Sequence, residues 1–100
     1  MDLLNWLNEW YKSNCNGDWE HCYGIKIETL DNPGWWVSIE LNGTELENKD
    51  FEKIAITKSD EDWLFCRVED NVFNSSGDPD KLTKILEIFK NWSESNNQSN

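Results

Sequence analysis

Apolar residues recur at every second position on both sides of one turn, and no other feature restricts the fold of this chain as strongly. Ile25 and Ile27 alternate with Lys26 and Glu28; after Asp31-Asn32-Pro33-Gly34, the residues Trp35, Val37, Ile39 and Leu41 alternate with Trp36, Ser38 and Glu40. A helix would scatter these side chains around its circumference, whereas a strand gathers them on one face. The stretch predicts a β-hairpin with one buried face, and Gly34 is expected to supply a positive φ at its turn.

The period is different on either side of this hairpin. Leu3, Trp6, Leu7, Trp10 and Tyr11 recur at three- and four-residue spacing behind Asp2, a capping residue, which predicts a first helix. Ser13 to Asp18 then breaks the pattern, and Asp18, Trp19 and Glu20 are expected in a loop leading into the first strand. Beyond Asn42-Gly43, the acidic Glu45 to Asp50 segment reads as a loop. Phe51, Ile54 and Ile56 predict a third strand ending near Thr57. After a turn at Asp60-Glu61-Asp62, a fourth strand alternates Leu64, Cys66 and Val68 with Trp63, Phe65, Arg67 and Glu69. Val72-Phe73 is either a short fifth strand or a packed turn, because Asn74-Ser75-Ser76-Gly77 follows at once. Asp78 and Pro79 stand where a cap and first helical residue belong, ahead of a second stripe at Leu82, Ile85, Leu86, Phe89 and Trp92. From Ser93 onward no apolar residue is left to dock, so this end is expected to fray.

The fold expected is α+β: an antiparallel four- to five-stranded β-meander, flanked in sequence by an N-terminal and a C-terminal helix packed on one sheet face. One domain over residues 1–93 with a disordered polar tail over 94–100 fits 100 residues, which are enough for one small core and too few for two.

Charge narrows the partners. Twenty acidic against 9 basic residues give a formal net charge of -11, which repels phosphate backbones and anionic membrane surfaces and would steer a basic protein toward contact. The expected partner is a protein, with no nucleic acid and no membrane, and the chain itself a monomer or weak dimer. An N-terminus without a basic region, and an odd count of three cysteines, Cys15, Cys22 and Cys66, point to a reducing cytoplasm.

Candidate chemistry is thin. His21 beside Cys22 has the residue types of a nucleophilic pair, but neighbours on a strand point to opposite faces. The lone His and the scattered Cys lack the paired spacing of a zinc site, and close carboxylates such as Asp18 and Glu20 are inevitable in so acidic a chain. No metal, no cofactor and no catalytic residue are expected, and the chain reads as a non-enzyme. The alternatives are a small thiol-dependent enzyme using Cys22 or Cys66, and an adaptor or homodimerising module.

Four separated segments, matching in order and spacing, carry a resemblance. They are Leu7-Asn8-Glu9-Trp10-Tyr11, the Trp-, Gly- and carboxylate-rich run from Gly17 to Trp36, Asn42-Gly43-Thr44-Glu45-Leu46, and Asp62-Trp63-Leu64-Phe65-Cys66-Arg67-Val68-Glu69-Asp70. From about Leu3 to Trp92 the chain resembles the immunity protein 53 family of bacterial polymorphic toxin systems. That resemblance implies neutralisation of a cognate toxin by binding, and defines no catalytic residue.

The residues expected to meet such a toxin follow from alternation. If Ile25, Ile27, Val37, Ile39, Leu64, Cys66 and Val68 face the helices, then Trp36, Trp63 and Phe65 face outward with Lys26, Glu28, Glu40 and Arg67, an aromatic cluster rimmed by charge; the alternative is that a loop or the tail covers these rings, or that the last strand's register is inverted. Asp18, Trp19 and Glu20 form a second candidate, an aromatic anchor between two carboxylates, with Trp19 alternatively capping the core edge. Glu45, Glu47, Asp50, Asp60, Glu61 and Asp62 are expected to steer a basic toxin surface, such as a nuclease presents.

Overall fold

In the computed structural model, which describes residues 2–97, the first helix α1 runs from Leu3–Asn14. Asp2 caps it as the sequence suggests, its carboxylate accepting the Asn5 N–H at 2.8 Å. A one-turn helix α2, Trp19–Cys22, stands where a loop was expected. Five strands follow: β1 Ile25–Leu30, β2 Gly34–Glu40, β3 Ile54–Ser59, β4 Asp62–Glu69 and β5 Val72–Gly77. Helix α3, Leu82–Asn97, closes the order.

The strands form one antiparallel, meander-like sheet in the order β1-β2-β5-β4-β3. Successive hairpins join β1 to β2, β3 to β4 and β4 to β5, and β5 then inserts beside β2. The fifth element is therefore a full strand at the centre of the sheet. Its polar residues suit that place: Ser75, 2% exposed, donates its hydroxyl to the Val37 carbonyl, and a Cβ on Gly77 would stand 2.6 Å from Lys81 Cβ. Small side chains let α3 lie close on β5.

Val37, Ile39, Leu64, Cys66 and Phe73 supply the helix-facing side of the sheet, against Ile85, Leu86 and Phe89 of α3, whereas Ile27, expected on this buried face, stays 40% exposed on the edge strand β1. Helix α1 packs against α3, where the Trp6 and Trp10 rings meet Phe89 edge-on at 5.9 and 4.9 Å between centroids. Truncating a ring as central as Phe89 would cost about 3–5 kcal/mol.

Four further expectations change. Gly34 opens β2 without a positive φ; a Cβ there would run into the Gly77 carbonyl oxygen and lie 3.1 Å from the Trp63 ring, so what it supplies is room. Phe51 lies outside β3, with its ring packed edge-on against Phe73 and Trp92. Asp78 caps a turn instead of a helix, accepting the Lys81 N–H on its carbonyl and the Asp80 N–H on its carboxylate, so α3 starts at Leu82. Finally, the helix continues past Ser93 to Asn97. Ser93 falls in phase with Leu82, Leu86 and Phe89 and is fully buried, while Ser95 and Asn96 side chains bond the Trp92 carbonyl. Residues 98–100 of the expected tail lie outside the described residues.

Candidate functional site

Alternation in the central strands decides which side chains stand on the side of the sheet opposite the helices. Cα pairing aligns them in rows: Glu28, Trp36, Ser76, Phe65 and Ala55 form one, and Lys26, Ser38, Asn74 and Arg67 the next. A third row holds Glu40, Val72 and Glu69. Both long helices lie on the other face, and Phe65 remains 41% exposed.

Three aromatic residues dominate this open face. Trp63 and Phe65, on the same side of β4, tilt together with ring centroids 5.8 Å apart. Trp36 lies half-buried on β2, its indole N–H donating to Asn74 Oδ1 at 3.0 Å. Between Phe65 and Arg67 on one strand and Asn74 and Ser76 on the next runs a groove of about 330 Å3, with Lys53 at its rim. The outward set expected from alternation is thus brought together, with Arg67 held by Glu69 at 3.3 Å.

A buried carboxylate anchors the Trp63 end. Asp78, whose side chain is 1% exposed, accepts the Trp63 N–H at 2.9 Å and the Lys81 ammonium at 2.6 Å, and Lys81 also bonds Asp62 at 2.8 Å. The Lys81 ammonium first, then the N–H groups of Asp80 and Trp63, hold the Asp78 carboxyl at about 2 against the opposing effect of burial. Hydrogen bonds to Asp62 and Asp78 raise the Lys81 value in turn. Sequence reading missed this network; its one local sign is the Asp78-Pro79-Asp80-Lys81 turn, with acid and base three residues apart.

The second candidate cluster separates. Trp19 is 3% exposed and belongs to the core, its ring edge-on to Trp10 and Tyr11 of α1. That corrects its placement as an anchor open to a partner in favour of the alternative at the core edge, because a one-turn helix turns the ring inward. Glu20 is engaged within the chain: it accepts the N–H groups of Asn16 and Gly17 at 2.9 and 2.8 Å. Backbone N–H groups, its own first and then those of Gly17 and Asn16, hold its carboxyl below the ordinary range. Asp18 alone of the three is exposed without a side-chain cap bond.

Glu45, Glu47, Asp50, Asp60 and Glu61 are exposed, whereas Asp62 is tied to Lys81. The Glu45 to Asp50 loop is pinned by Leu46, which is fully buried. Burial pushes the Cys66 thiol up to about 12, which leaves it protonated and unreactive near neutral pH. Cys15 and Cys22 are free and exposed. Among the described residues no three His, Cys, Asp or Glu side chains come together to hold a metal ion, and no helix is long and apolar enough to cross a membrane.

Searches of curated proteins and of solved structures each found no match. The model of the family described as Immunity protein 53 matches residues 4–94, nearly the whole of α1 through α3 with the sheet between them, and the chain belongs to that family.

Proposed function

We propose that this chain neutralises its cognate toxin by stoichiometric binding in the cytoplasm, with the open face of the sheet as the surface that covers the toxin. Membership of an immunity protein family supports a protective role, and immunity proteins typically act without catalysis. The observation that carries the choice of surface is the grouping of Trp36, Trp63 and Phe65 on the side opposite the helices, rimmed by Glu28, Glu40, Arg67 and Glu69. Aromatic rings surrounded by polar and charged residues are the composition of a protein-binding hot spot.

The toxin surface is basic in this reading. A net charge of -11 would speed the approach of a basic partner, and an acidic inhibitor would take the place of a phosphate backbone if the toxin is a nuclease. Asp60 and Glu61, at the turn beside Trp63, supply negative charge next to the rings.

The test is co-purification with a toxin domain sought in the neighbouring open reading frame, followed by titration of Phe65→Ala and Trp63→Ala. Complex formation weakened about thirtyfold in folded variants supports the surface; unchanged affinity in both moves the interface elsewhere on the chain.

A further inference from the structure

Strand β3 forms one edge of the sheet, so half of its backbone groups have no strand to bond. The ladder identifies which half. Asp78 N–H donates to the Trp63 carbonyl, so odd-numbered residues of β4 bond toward β5, and Leu64 and Cys66 bond toward β3. Leu64 and Cys66 pair with Ile56 and Ile54. The N–H and C=O groups of Ala55 and Thr57 therefore point away from the sheet, in a stretch exposed from Ala55 to Ser59.

The helix side of this edge is also left open. Ile56 is 41% exposed, and Phe51, Ile54, Ile88 and Trp92 line a groove of about 370 Å3 between the start of β3 and α3. An added strand would satisfy the outward backbone groups and place alternate side chains against this apolar border.

Charge selects the occupant. On a chain of net charge -11, Lys53 just before β3 and Lys58 near its end have no acidic residue between them, with Glu52 and the Asp60-Glu61 turn lying outside the pair, and neither lysine has an ion-pair partner among the described residues. A second copy would be repelled by its own net charge, whereas an acidic extended segment would be attracted locally.

We propose that β3 is a strand-addition site for an extended segment of the toxin domain, apolar at alternate positions and acidic where it passes Lys53 and Lys58. This rests on the toxin-binding reading above and specifies a second, backbone-mediated contact for it. Edge lysines also deter unwanted pairing, and amide exchange separates the two roles.

The experiment uses the full chain with the toxin domain that co-purifies with it. Exchange of the Ala55 and Thr57 amides is expected to slow at least about tenfold in the complex. Ala55→Pro, which removes an outward N–H and keeps the ladder to β4, is expected to weaken binding about tenfold, and Lys58→Glu to weaken it as well. Failure of any toxin domain to co-purify with the unaltered chain overturns the toxin reading itself. Binding without slowed exchange at Ala55 and Thr57 overturns strand addition alone, whether or not Ala55→Pro folds. Unchanged affinity of a folded Ala55→Pro does the same, and tighter binding by Lys58→Glu overturns the acidic occupant.

Discussion

The indole of Trp63 lies across Gly34, two strands away, so closely that a Cβ on Gly34 would come within 3.1 Å of Trp63 Cζ2. The same Cβ would collide with the Gly77 carbonyl oxygen. A missing side chain on β2 thus provides the floor on which an aromatic residue of β4 rests, and it sets the height of the open face.

Gly34→Ala is accordingly expected to destabilise the fold by about 1–3 kcal/mol, the usual penalty for forcing extra atoms into a packed site. Thermal or denaturant unfolding measures it. A variant as stable as the parent would show that β2 and β5 separate easily at this end.

Trp36→Ala is expected to stay folded and to bind the toxin domain about thirtyfold more weakly, since its ring is half-buried on the open face and bonded only to Asn74 among the described residues. Trp19→Ala should behave in the opposite way. Its ring is 3% exposed against Trp10 and Tyr11, so the loss falls on stability, by about 3–5 kcal/mol. Circular dichroism and calorimetric titration of both variants distinguish a surface ring from a core ring.

Acid stability depends on Asp78. Its folded value of about 2 lies below the ordinary 3.8, so its stabilisation is complete above about 3.8 and is lost as pH falls through about 2. Asp78→Asn is expected to be less stable at neutral pH and to show a flatter dependence between about pH 4 and 2, since the titrating group is gone. Parallel curves for the two proteins would assign the acid transition to other carboxylates.

Association with the toxin domain is expected to slow as salt rises from low to physiological strength, because Glu45, Glu47, Asp50, Asp60 and Glu61 are all exposed on a chain of net charge -11. Stopped-flow mixing at several ionic strengths reads this directly. An on-rate indifferent to salt would leave the negative charge as a means of staying soluble.

What depends on near neighbours was legible along the chain. Spacing along the chain made helices at Leu3 and Leu82 and strands at Ile25, Trp35 and Leu64, and alternation put Trp36, Trp63 and Phe65 on a common face, because each side chain's direction is set by the residues beside it. Local chemistry also placed the Asp2 cap. The place of β5 between β2 and β4 came from long-range packing, since the polar run from Asn74 to Gly77 has no strand signal of its own and is held there by partners far along the chain, Trp36 and Val37 among them. The same long-range contacts turned Trp19 into the core, made Gly34 a matter of space instead of φ, and joined Asp78 to Trp63. Pairing and packing across tens of residues choose among arrangements that local periodicity leaves equal in energy.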